Sequence, residues 1–91
     1  MVTRQLNDDE ILAVLESAFR PLVCETERDF TRTRFHFVVK RLDGSVVIES
    51  PPPGSLWYEF NLFRVDTVLN DFIRQWRAEV EQRGEKLDPW P

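Results

Sequence analysis

The sequence predicts an α+β fold of order α-β-β-β-α, in which a three-stranded antiparallel meander carries two helices on one face. Three observations predict it. Residues 31–42 sort by parity: Thr33, Phe35, Phe37 and Val39 fall on one side, and Arg32, Arg34, His36 and Lys40 on the other, broken only by Val38. Successive side chains of a strand point to opposite faces, so this stretch reads as a strand with one apolar face and one wet, cationic face. Asp43-Gly44 follows as a two-residue hairpin signal, because both residues tolerate the positive φ of a type I′ turn. Stretches of helical period lie on either side.

The chain has 91 residues, which suits one domain. We read a flexible N-terminus over 1–6, a folded unit over 7–84 and a flexible tail over 85–91. The first helix starts sharply. Asn7 is a good N-cap, Asp8 and Asp9 suit the positive end of the dipole, and Glu10 closes a capping box. Leu6 and Ile11 hold the positions of a hydrophobic staple. Ile11, Leu12, Leu15, Ala18 and Phe19 share one helical face. Pro21 ends the helix, because the residue before a proline is pushed out of the α region.

Residues 22–27 form the first predicted strand, with Leu22, Cys24 and Thr26 facing in and Val23, Glu25 and Glu27 facing out. A turn over 28–31 leads into the second strand, 32–42. The third spans 45–50. These turns set Val39 opposite Ile48 and Val38 opposite Glu49. They also set Cys24 opposite Phe35, Leu22 opposite Phe37, Glu25 opposite Arg34, Glu27 opposite Arg32 and Val23 opposite His36. Apolar then meets apolar and acid meets base, and a one-residue slip would invert the pattern.

Pro51-Pro52-Pro53-Gly54 is a stiff break. The segment 55–63 then holds six large apolar or aromatic residues in nine. It reads either as a short fourth strand or as an irregular segment over the core. A second helix runs over 65–83. Val65, Val68, Leu69, Phe72, Ile73, Trp76 and Val80 form its apolar stripe. Arg77–Glu81 and Glu79–Arg83 are i,i+4 pairs on its wet side, and Gly84 is a natural residue to follow its end. The tail over 85–91 is expected to be mobile, although Trp90, between two prolines, could dock back on the fold.

Composition narrows the function classes. The net charge is −4, so the whole-molecule field does not attract nucleic acid or anionic lipid. The sign varies along the chain. Residues 1–30 hold seven acids and three bases, 31–50 hold two acids and four bases, and 51–91 hold seven acids and five bases. Cys24 is the single cysteine, which excludes an internal disulfide. The N-terminus has no charged region leading into an apolar one, and no apolar run approaches 18 residues. A cytoplasmic protein without a membrane span is the expectation.

Chemistry-bearing constellations are sparse. One His and one Cys on opposite faces of a sheet cannot share a metal, and zinc sites take three or four ligands. No cofactor or metal is expected. Asp8, Asp9 and Glu10 are explained by capping, and Glu25 and Glu27 by cross-strand partners, so no acid–base pair is left over. The three glycines form no phosphate-binding loop. The face of Arg32, Arg34, His36 and Lys40 is a candidate track for an anion or nucleic acid, but Glu25, Glu27 and Glu49 share it, and a neutralised face releases few counterions.

The α-β-β-β-α order resembles the double-stranded RNA-binding domain. That family holds phosphates with lysines at the start of its second helix. The matching stretch here, Val65-Asp66-Thr67-Val68-Leu69-Asn70-Asp71, has no cation, so nucleic-acid binding is not expected.

A second resemblance rests on the run Glu16-Ser17-Ala18-Phe19-Arg20-Pro21-Leu22-Val23-Cys24-Glu25, followed by a strand, an Asp-Gly hairpin and a closing amphipathic helix. Residues 10–80 are similar to a family of short bacterial proteins classed as a domain of unknown function. The resemblance implies a small cytoplasmic bacterial protein and supplies no activity, cofactor or site residue.

The aromatic segment is the leading candidate surface. Leu56, Trp57, Tyr58, Phe60, Leu62 and Phe63 are too many for a core of this size if alternate residues point out, and an exposed patch of that kind marks a partner surface. The competing explanation is that the segment completes the core beneath the second helix. The sequence therefore predicts a non-catalytic protein-interaction or self-associating module, such as a homodimer, using Leu56, Trp57, Tyr58, Phe60 and Phe63. One alternative is an anion or nucleic-acid binder acting through Arg32, Arg34, His36 and Lys40. Another is a small-ligand protein with a pocket between the second helix and segment 56–63.

Overall fold

A computed structural model describes residues 5–90 of the chain. The elements are α1 (Asp8–Ser17), β1 (Val23–Asp29), β2 (Arg34–Lys40), β3 (Val46–Ser50), β4 (Tyr58–Glu59), a 3₁₀ turn (Phe60–Phe63) and α2 (Asp66–Gln82). The antiparallel sheet runs β1-β2-β3, and β4 also pairs with β2. The α+β order is the predicted one.

Helix α1 begins as its cap dictates. The Glu10 amide donates to Asn7 Oδ1 at 2.8 Å, and the Asn7 amide donates to Glu10 Oε1 at 3.1 Å. Leu6 and Ile11 are both buried, as a staple requires. Of the expected flexible N-terminus, residues 1–4 lie outside the described residues. Gln5 bridges to Val65, and the Leu6 amide donates to the Arg64 carbonyl at 2.7 Å. Asp8 pairs with both Arg28 and Arg64, and Asp9 pairs with Arg28. This cluster ties the start of α1 to β1 and to the entry of α2.

The first hairpin turns two residues later than expected. Strand β1 continues through Arg28 and Asp29. Asp29 Oδ1 then accepts the amides of Thr31 and Arg32 at 3.0 and 3.3 Å, and Thr33 takes a left-handed φ of 51°. An aspartate that bonds the backbone two residues ahead starts a turn rather than lying inside one. Cys24 therefore faces Val39 instead of Phe35, Glu25 faces Val38 instead of Arg34, and Glu27 faces His36 instead of Arg32. Val23 faces Lys40 instead of His36, and Leu22 precedes the strand. The slip is even, so the two faces survive it. Phe35, Phe37 and Val39 are buried, while Arg34, His36, Val38 and Lys40 are half-buried on the outer face. Thr33, expected inside, is exposed in the turn.

The second hairpin keeps Val38 opposite Glu49 and Val39 opposite Ile48, as predicted. Its turn has three residues rather than two. The Gly44 amide donates to the Arg41 carbonyl at 2.9 Å, and the Arg41 amide donates to the Ser45 carbonyl at 2.8 Å. Among the three, Gly44 alone enters the left-handed region, at φ 91°, which is the glycine-closed form of a three-residue hairpin. A bulge restores the predicted register. Lys40 faces Val46 while Val39 faces Ile48, so Val47 is an extra residue. Val47 and Ile48 are both buried, which alternation alone forbids.

Segment 55–63 is part strand and part irregular. Ser50 faces Phe37 at the end of β3, and Tyr58 faces Phe35 in β4. Both strands run along the same side of β2, so together they are one edge strand. Residues 51–57 leave it as an excursion opposite a single β2 residue, His36.

Both helices pack on the inner face, and Phe37 is the hub. Its ring is 5.8 Å from Phe19 after α1, 6.4 Å from Tyr58, and 6.1 and 5.9 Å from Phe72 and Trp76 of α2. The α2 stripe is buried at Leu69, Ile73 and Val80, while Val68 at its margin is exposed. The expected Arg77–Glu81 pair does not form. Arg77 donates instead to the Ala18 and Asp88 carbonyls. Gly84 follows the helix at φ 90°, its amide donating to the Glu81 carbonyl at 3.0 Å. The tail, expected to be flexible, lies along the fold. Glu85 pairs with Arg41, the Asp88 amide donates to the Arg20 carbonyl at 2.8 Å, and Leu87 and Trp90 pack on the core.

Phe37→Ala is expected to lose ~3–5 kcal/mol of unfolding free energy, the range for a deleted core ring. Asn7→Ala is expected to lose ~1 kcal/mol through its cap. Urea denaturation of both variants checks the ranking.

Candidate interaction surface

The segment named from sequence divides into inside and outside. Phe60 and Phe63 are buried. A 3₁₀ turn has three residues per turn, so positions i and i+3 share a face. That face holds Phe60 and Phe63 against Phe35, at 4.8 and 5.7 Å between ring centroids. These two residues are core, and no partner reaches them without unfolding the turn. Leu62, on the other side of the turn, is exposed. Tyr58 is half-buried, with its hydroxyl 2.6 Å from that of Ser50. Leu56, at the end of the excursion, is 75% exposed. Trp57 folds back over His36, with ring centroids 4.2 Å apart.

The basic residues of the outer face meet acids other than those expected. Lys40 pairs with Glu25, His36 lies 2.9 Å from Glu27, and Arg34 lies 3.3 Å from Glu59. Arg32 sits in the turn, exposed, and is the one member of the basic set without an ion-pair partner among the described residues. Lys40 and Arg34 are thus held in ion pairs, and His36 in a side-chain contact with Glu27. Arg32 and Arg34 do meet Leu56 and Trp57, beside Asp29 and Ser55, around a hollow of about 220 Å³. The two candidate sets touch there, but the space suits one side chain rather than a drug-sized ligand, which needs ~300 Å³ or more.

A larger groove opens between α2 and β4. Tyr58, Phe72 and Trp76 line it, with Glu79 and Arg83 at its rim, and its volume is about 660 Å³. Phe72 and Trp76 are half-buried. Sequence reasoning assigned both to the apolar stripe of the helix and missed that they lie off its buried line. The available signal was the width of that stripe, since Val68 and Phe72 stand to one side of Leu69, Ile73 and Val80.

Cys24 is buried, and removal from water raises its thiol pKa to about 12, assisted by the negative charges of Glu16 and Glu25. Such a thiol is not an activated nucleophile. Asp43 is fully exposed, and the Ser45 hydroxyl and amide hold its carboxyl below the ordinary value. Among the described residues, no group of three or more His, Cys, Asp and Glu could hold a metal ion. No helix there is long and apolar enough to cross a membrane.

Cys24 sets a pH dependence. Below about pH 9 the folded and unfolded thiols both keep the proton, whereas between about 9 and about 12 the folded one alone does. Unfolding in that window releases a proton, so stability falls as pH rises through it. Urea midpoints should decline more steeply above pH 9 in this protein than in Cys24→Ala. Iodoacetamide should label the thiol only after unfolding.

Compared with protein-family models, curated proteins and solved structures, the chain matches none.

Proposed function

We propose that the protein is a non-catalytic, self-associating interaction module that docks through the groove between α2 and β4. One observation carries this reading: Tyr58, Phe72 and Trp76 stand side by side, half-wet, around about 660 Å³ of open space. Clustered aromatic surface is the usual anchor of a protein interface. The rim favours a second copy of the chain. Glu79 and Arg83 carry opposite signs, and neither has an ion-pair partner among the described residues. A twofold contact can therefore set acid against base in both directions. Compared with the sequence reading, the surface keeps Tyr58, gives up Phe60 and Phe63 to the core, leaves Leu56 and Trp57 at the separate hollow beside Arg32 and Arg34, and gains Phe72 and Trp76. A buried free thiol at Cys24 suits a reducing, cytoplasmic setting.

A second reading uses the same groove for a small apolar ligand. Its support is volume, since about 660 Å³ falls within the ~300–1,000 Å³ of small-molecule sites. Nucleic-acid binding has less behind it, because Arg34 and Lys40 are ion-paired and His36 lies against Glu27, which leaves only Arg32 of the four without an acidic partner among the described residues.

Sedimentation equilibrium from micromolar to millimolar concentration tests the first reading. A reversible dimer is expected, and Phe72→Glu should weaken it by ~2 kcal/mol or more, the scale of an aromatic anchor, with an unchanged circular dichroism spectrum. A wild-type chain that stays monomeric at millimolar concentration would remove self-association. Planar aromatic probes that bind this monomer, and are lost in Phe72→Glu, would then favour the ligand reading.

A further inference from the structure

We infer that the free edge of β1 is a docking site for an extended, cationic segment of another protein, which adds to the sheet as a further strand. This surface is separate from the α2 groove. The sheet has two edges. One is β3 with β4, broken by the excursion over 51–57 with its three prolines, and such a break prevents a continuous added strand. The other is β1, seven residues without a bulge or proline, paired on one side only among the described residues. An unpaired strand of that length presents a row of backbone donors and acceptors.

Charge selects the occupant. Glu16 of α1 joins Glu25, Thr26 and Glu27 of β1, with His36 and Val38 of β2, along a groove of about 490 Å³. Glu25 uses Oε1 for Lys40, and Glu27 uses Oε2 for His36. Each keeps its second oxygen for an incoming cation. The net charge of −4 adds long-range attraction for a basic partner.

The same residues exclude a second copy. The outward side chains of β1 are Val23, Glu25, Glu27 and Asp29. In a twofold antiparallel pairing that keeps the helices of both copies on one side, outward residues face outward residues. Every such register with good overlap sets carboxylate opposite carboxylate, which is destabilising. An added strand with Lys or Arg at alternate positions reverses each of those terms.

The test is an NMR titration of the whole ¹⁵N-labelled chain with two synthetic peptides, one alternating Lys and Thr and the other alternating Glu and Thr. The Lys peptide is expected to bind about tenfold more tightly or better, because each cross-strand charge pair changes sign. It should shift residues 23–29 and slow exchange of alternate amides in that strand. The double variant Glu25→Gln/Glu27→Gln, altered only at exposed side chains, should lose most of that preference. Equal binding of the two peptides, or binding of neither, would overturn the proposal. So would shifts without slowed exchange in β1, which mean charge attraction without strand addition. A chain that dimerises through β1 would also sink it. Shifts confined to Phe72 and Trp76 would overturn it while leaving the α2 groove in place.

Discussion

The fold depends on one row of side chains, Phe35, Phe37 and Val39, being held beneath the helices. Phe37 sits at its centre and touches Phe19 just beyond α1, Tyr58 of β4 and two aromatic residues of α2. Among the described residues the buried apolar side chains form one cluster, and small domains bury a limited share of their surface. Each helix is amphipathic, and each needs an apolar partner surface to stay folded. The inner face of β2 supplies it to both. Register, helix placement and the position of the aromatic segment all follow from keeping those rings dry.

The outer face shows how parity can outlast a register error. Three of the four outward positions of β1 are acids, and the outward positions of β2 include Arg34, His36 and Lys40. Any even shift between the strands still brings a base within reach of an acid. A slip of four residues therefore changes which partners meet and still leaves each base of β2 within reach of an acid. Composition of the outward positions, more than any particular pair, suppresses the cationic stripe. Arg32 escapes because it belongs to the turn, outside the alternation altogether.

Features set by near neighbours were legible in the sequence. The Asn7–Glu10 capping box, the parity of β2, the presence of a hairpin at Asp43-Gly44 (though not its three-residue form) and the glycine after α2 each depend on residues within about four positions. Features set by distant partners were not. Asp29 could be read as lying within a turn or as starting one, and only its bonds to Thr31 and Arg32 decide. Tyr58 becomes a strand residue because Phe35 offers it a free edge. Arg77 prefers the Ala18 carbonyl to its helical neighbour. The bulge at Val47 hides in a run of three apolar residues, where alternation gives no warning.

The groove beside α2 follows from the same geometry as the excursion. Strand β3 ends at Ser50, and the chain leaves the sheet until Tyr58. Phe72 of α2 packs against Tyr58, where the chain rejoins the sheet, with ring centroids 5.0 Å apart. Phe72 and Trp76 cover Phe37 with one side of their rings and leave the other side wet. A longer third strand would supply more inner-face side chains there. The prolines at 51–53 forbid it, since each lacks the amide that a strand partner would need. That substitution trades buried area for an open aromatic surface. Together with an acidic, continuous edge on the opposite side of the sheet, it gives the molecule two faces of different chemistry. One is apolar with mixed charge at its rim, and the other is a polar backbone edge flanked by carboxylates. A single partner type does not suit both, because the proposed twofold contact would seat a second copy in the apolar groove, whereas pairing two acidic edges would set carboxylate against carboxylate.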